Sequence, residues 1–153
     1  MGLDPSRTWA LVMNGARSRI LRGVPAPDTG PPSELVLRSE ARHLRDMMSD
    51  NPGRSFAALG RGRRSTMEHA GDPIAEDQRE FIRQVIALLE SHRRAGDFDR
   101  LAVFADQDML GHLRQMMPRP LHEMVICEVA KNLLHLPTAE LSDTIVRELN
   151  DGL

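Results

Sequence analysis

The residues of this chain best suited to chemistry are arginines set among glycines. Gly60-Arg61-Gly62-Arg63-Arg64-Ser65, with Arg54 and Ser55 just upstream, places four guanidiniums within eleven residues. Glycine admits positive φ and lets backbone N–H groups come close to an anion, and the forked arginine donors match phosphate oxygens. The chemistry implied is recognition of a polyanion through its phosphates, not the making or breaking of bonds. Phe56 is the one aromatic residue of the stretch, so stacking on bases is not the expected source of affinity. Composition alone equally fits a solvated basic loop with no ligand. The apolar island Phe56-Ala57-Ala58-Leu59 favours an anchored segment, because such a cluster prefers burial.

Other chemistries find less support. The sequence has no Gly-x-x-x-x-Gly-Lys-Ser/Thr, no Gly-x-Gly-x-x-Gly and no Gly-x-Ser-x-Gly. Its histidines (His43, His69, His92, His112, His122 and His135) never pair with one another or with cysteine at metal-ligand spacing. His122-Glu123 reads as the entry to a strand, with the two side chains on opposite faces. Asp106 and Asp108 at a strand end could hold a hard cation, as a small metal-dependent hydrolase would require. The simpler expectation is that they cap the helix that follows. Cys127 lies in an apolar run and reads as a small buried hydrophobe. No cofactor and no metal is expected.

The chain has 153 residues, 41% of them hydrophobic and 27% charged, with a net charge of −2. That length suits a single domain, 1–153, with a real core. Eleven Arg against six acidic residues give residues 1–64 a charge of +5, whereas residues 65–153 carry −7. A basic first half can therefore meet a polyanion behind a near-neutral total. No apolar run exceeds five residues, so no membrane contact is expected, and the first residues lack the pattern of a secretory signal. A cytoplasmic location follows as the expectation.

The elements that must position these residues are legible from periodicity. Thr8 to Met13 reads as a buried strand, Asn14-Gly15 as a type I′ turn, and Ala16 to Arg22 as the returning strand. The latter puts Arg17 and Arg19 on one face, Ser18 and Ile20 on the other. Residues 23–33 form a Pro-rich loop and Glu34 to Arg38 a third strand, followed by a short helix over Ala41 to Met48. Residues 49–73, the Gly/Arg-rich loop, have no periodicity. A long helix then starts at Asp72-Pro73, buries Phe81, Ile82, Val85, Ile86 and Leu89, and ends at Gly96. Phe98 to Ala105 reads as a strand, Met109 to Met117 as a helix, and Met124 to Val129 as another buried strand. The last helix opens at Pro137-Thr138 and packs Leu141, Ile145 and Leu149. The alternation predicts an α/β fold, a mixed β-sheet with an N-terminal β-hairpin and helices packed on its faces.

Several of these pieces, in this order, resemble the bacterial host attachment protein family, described as proteins required for attachment to host cells. They are Asn14-Gly15-Ala16-Arg17-Ser18-Arg19, Ser49-Asp50-Asn51-Pro52-Gly53-Arg54-Ser55-Phe56, Gly60-Arg61-Gly62-Arg63 and Asp72-Pro73. Phe98-Asp99-Arg100-Leu101 and the run from Glu128 to Pro137 complete them. The family commonly has Asp and Thr where this chain has Asn132 and Leu134. That family is similar in turn to the central domain of archaeal and eukaryotic translation release factors. In those factors a Gly-Gly-Gln loop ahead of a long helix positions water to hydrolyse peptidyl-tRNA. Gly60-Arg61-Gly62 falls in the corresponding place, but no Gln occurs between Ser49 and Asp77. The resemblance implies a release-factor-like, ribosome- or RNA-binding domain without that catalytic amide, with ribosomal RNA or tRNA as partner through Arg54, Ser55, Gly60, Arg61, Gly62, Arg63 and Arg64. The alternative it implies is an interaction protein that supports attachment without touching nucleic acid.

Overall fold

A five-stranded sheet organises the chain. The computed structural model describes residues 7–24, 33–39 and 73–152. The strands are β1 (Thr8–Met13), β2 (Arg17–Leu21), β3 (Glu34–Arg38), β4 (Arg100–Phe104) and β5 (Val125–Val129). Among the described residues the helices are α1 (Pro73–Arg94), α2 (Gln107–Met116), α3 (Arg119–His122) and α4 (Thr138–Gly152). The spatial order is β3-β2-β1-β4-β5. β2 runs antiparallel to both its neighbours, whereas β1, β4 and β5 are mutually parallel. The expected α/β fold with a mixed sheet is the one formed. The expected helix at 41–48 and the cap at Asp72 lie outside the described residues.

Alternation along β1 creates two cores, one on each side of the sheet. Trp9, Leu11 and Met13 point to the side covered by α1, α2 and α3, where they meet Phe81, Ile82, Val85, Leu89, Leu110 and Leu113. Ala10 and Val12 point to the other side, joining Ala102 and Phe104 under Leu141, Ile145 and Leu149 of α4. A strand buried on both faces needs a continuous apolar run, and β1 and β4 supply one each. β5 is less enclosed than its sequence suggests. It is an edge strand, half-buried throughout, because only β4 flanks it.

The end of α1 follows the expected pattern in detail. Gly96 adopts φ +79°, its N–H donates to the Arg93 carbonyl (3.0 Å), and the Asp97 N–H donates to the His92 carbonyl (3.0 Å). These two bonds satisfy carbonyls that the helix itself leaves open.

The hairpin turn is a correction. In the β1–β2 register Met13 lies opposite Ser18 and the Asn14 N–H donates to the Arg17 carbonyl, so the loop residues are Gly15 and Ala16. Neither adopts positive φ, which a type I′ turn requires at both positions. Instead Asn14 Oδ1 accepts from the N–H groups of Ala16 (2.8 Å) and Arg17 (2.9 Å). The asparagine thus closes the turn with its side chain. Gly15 instead allows a close approach: a Cβ there would lie 2.7 Å from Nε2, the movable end of the Gln78 side chain on α1. Gly15→Ala is therefore expected to cost less than about 1 kcal/mol in urea unfolding, because that side chain can swing aside. Adding Gln78→Ala should recover most of it, and a double variant no more stable than the single one would place the strain in the turn itself.

Two smaller corrections follow from α3. Pro118 ends α2 as expected, but it also starts this short helix, which the sequence reading left out. His122 closes α3 and Glu123 stays in helical backbone, so the pair precedes the strand and is not part of it.

Candidate functional site

The predicted ligand-binding residues Arg54, Ser55, Gly60, Arg61, Gly62, Arg63 and Arg64 lie outside the described residues. The residues flanking their segment are described, and both flanks reach the same place. On the exit side, β3 ends at Arg38 and the Ser39 N–H donates to the Ala16 carbonyl (2.8 Å). On the return side, α1 lays Gln78 against Gly15. Exit and return therefore meet at the Asn14–Arg17 turn. That turn stands at the edge where the parallel strands β1 and β4 present their carboxyl ends. In open α/β sheets this edge is where ligands are usually bound, because loops diverge there and leave a crevice.

Next to this turn, two arginines of β2 hold down the connection between β5 and α4. Arg19 Nε and Nη2 form a two-pronged pair with Glu34 Oε1 and Oε2 of β3 (3.0 and 2.8 Å). Arg19 Nη1 donates to the carbonyls of Leu134 (3.0 Å) and Leu136 (2.5 Å). Arg17 Nη2 reaches the same Leu134 carbonyl (3.1 Å). The Thr138 hydroxyl lies 3.3 Å from both Arg19 Nη2 and Glu34 Oε2. Arg19 is only 4% exposed, so its charge rests almost wholly on these partners. Asn132 Oδ1 accepts from the Leu134 N–H (3.1 Å), which shapes the connection from within. Leu134 is buried among the α4-side core, so its place is filled by packing.

Sequence reasoning placed Arg17 and Arg19 on one face of β2, and the structure agrees. It did not assign them these contacts. Alternating arginines within a strand that faces a core were the available signal, because a charge turned toward a core needs partners.

The remaining candidates are structural. Asp106 Oδ1 accepts from the Met109 N–H (2.8 Å) and caps α2, as the simpler expectation had it. Among the described residues no group of three or more His, Cys, Asp or Glu is arranged to hold a metal ion. Cys127 is half-buried, and desolvation, with the carboxylates of Glu148 and Glu128 adding to it, pushes its thiol up. At neutral pH it stays protonated and is a poor nucleophile. On α1, the guanidinium of Arg93 donates to Glu90 and holds its carboxyl below the usual range. That pair fastens the carboxyl-terminal end of the helix, close to Gly96 and far along α1 from Gln78. No helix of the described residues is long and apolar enough to cross a membrane.

Comparison with known proteins bears on the whole of this arrangement. A family model described as "Protein required for attachment to host cells" matches residues 9–145, from β1 into α4. No curated protein matches the chain.

Proposed function

Because the chain belongs to the family of proteins required for attachment to host cells, we propose a specific role within it. The protein acts in the cytoplasm as a release-factor-like domain that offers its Arg/Gly segment to ribosomal or transfer RNA and carries no catalytic amide there. One observation carries the reading. The chain leading to Arg54, Arg61, Arg63 and Arg64 leaves the sheet at Ser39, which is bonded to the turn at the carboxyl edge of the parallel strands, and the helix that follows them brings Gln78 close to the same turn. A basic segment rooted at two adjacent points can be presented to a polyanion without disturbing the core. Binding by about four phosphate contacts would be steeply salt-sensitive, with log K falling by about 3 per tenfold rise in salt on a single strand.

The test is co-sedimentation with ribosomes from cell lysate at low and high salt. Wild type should pellet at low salt and be released at high salt. The Arg61→Ala, Arg63→Ala, Arg64→Ala variant should lose at least tenfold in affinity and most of the salt dependence. Wild type remaining in the supernatant at low salt overturns the reading. The second reading is an interaction protein supporting attachment without nucleic-acid binding. Recovery of the protein on the outer cell surface by fractionation would select it over the ribosomal one.

A further inference from the structure

Arg17 and Arg38 are directly opposed in the β2–β3 register, so both side chains leave the sheet on one face. Like charges in that relation repel each other. Most other described arginines are matched to carboxylates, as Arg19 is to Glu34, Arg79 to Glu76 and Arg114 to Glu128, while Arg22 and Arg147 bond the hydroxyls of Ser33 and Thr144. Here the match is missing. Glu34, the carboxylate on this face of β3, is occupied by Arg19. Arg17 is tied through Nη2 to the Leu134 carbonyl, a neutral acceptor, and its buried Nε has no acceptor at all. Arg38 is exposed and makes no ion pair or side-chain hydrogen bond among the described residues. The Leu134 contact fixes one guanidinium from below, while the other is free to close from the solvent side. Two such forks on one face provide the donors and the charge that a tetrahedral phosphate group accepts.

We propose that Arg17 and Arg38 form a phosphate-binding fork at the carboxyl edge of the sheet, and that its ligand is a backbone phosphate of an RNA strand. The choice of RNA rests on the function proposed above. The fork adjoins Ser39, where the segment carrying Arg54, Arg61, Arg63 and Arg64 begins, so a strand bound by that segment would extend across it. The fork itself requires only phosphate oxygens.

The experiment uses the full chain and three probes: a fluorescein-labelled oligouridylate followed by anisotropy over a salt series, inorganic phosphate followed by thermal shift, and labelled oligoglutamate followed by anisotropy. Arg38→Ala lies on an exposed edge position and should fold normally. It is expected to weaken RNA binding about three- to tenfold and to reduce the salt slope by about 0.7. It should also diminish the stabilisation that phosphate gives wild type. Arg100→Ala, at the exposed start of β4 on the opposite edge of the sheet, serves as the control and should change neither. If Arg38→Ala and Arg100→Ala behave alike with both phosphate probes, the fork is overturned. A response to phosphate without one to RNA keeps the fork and replaces its ligand by free phosphate. Loss of oligoglutamate binding in Arg38→Ala, with both phosphate probes unaffected, overturns it in favour of an acidic protein partner. The Arg61/Arg63/Arg64 alanine variant is titrated alongside. RNA binding lost there but intact in Arg38→Ala, with the phosphate stabilisation also unchanged in Arg38→Ala, removes the fork and leaves the segment's role standing; RNA binding lost in Arg38→Ala but intact in the triple variant does the opposite.

Discussion

Arg19→Ala is expected to lower the free energy of unfolding by about 3–5 kcal/mol, the scale on which a buried pair fails when one partner is removed. For a domain of this size that is a large part of the total, about 5–15 kcal/mol. The loss has two sources. Glu34 is left with a charge facing a site built for a guanidinium, and the Leu136 carbonyl loses its Arg19 donor, whereas the Leu134 carbonyl keeps Arg17 Nη2. A carbonyl buried without a donor adds about 1–3 kcal/mol. Arg19→Lys should rescue little, because one ammonium cannot bridge two carboxylate oxygens and two carbonyls at once. Replacing both charges by apolar residues, Arg19→Met with Glu34→Leu, should recover the part owed to the stranded carboxylate and leave the part owed to the Leu136 carbonyl. Urea unfolding measures the totals. Amide exchange locates them: faster exchange confined to 131–138 in Arg19→Ala is the expected pattern. A cost below about 1 kcal/mol would mean that Leu133 and Leu134 hold the connection by packing alone.

Phe104→Ala is expected to cost a similar amount, about 3–5 kcal/mol, for an unrelated reason. Phe104 is fully buried on β4, between Val12 of β1 and Val129 of β5, on the side that α4 covers. Its ring fills space in the smaller of the two cores. The destabilisation should reach α4 before α1, because the sheet separates the two cores. Faster amide exchange in α4 than in α1 would register that order. Val36→Ala provides the contrast: Val36 is 50% exposed on β3, and its replacement should change stability by less than about 0.5 kcal/mol.

The two variants illustrate which parts of the molecule could be foreseen. Phe104 could be assigned from the sequence alone, since Leu101-Ala102-Val103-Phe104-Ala105 is an apolar run with no polar face to turn outward. The same holds for Phe81, Ile82, Val85 and Leu89, whose helical spacing leaves one side apolar and therefore buried. Arg19 could not be assigned in this way. Its face was predictable, but its carbonyl acceptors lie 115 to 117 residues further along the chain. Asn14-Gly15 misled for a local reason. The dipeptide favours positive φ, yet an asparagine side chain can close the turn itself, and the choice was settled by the register of β1 and β2 and by Gln78 pressing on Gly15.

By itself, then, the sequence determined the order of the strands and of the three longer helices, the face each turns to the core, and the helix ends at Gly96 and Asp106. All of these depend on periodicity and on hydrogen bonds made within a few residues. The order β3-β2-β1-β4-β5, the convergence of Ser39 and Gln78 on one turn, and the opposition of Arg17 and Arg38 were decided only in the tertiary structure. Local pattern specifies what an element buries, and many neighbours can satisfy that demand. Which neighbour it meets is fixed when every element must bury its face and pair its polar groups at once.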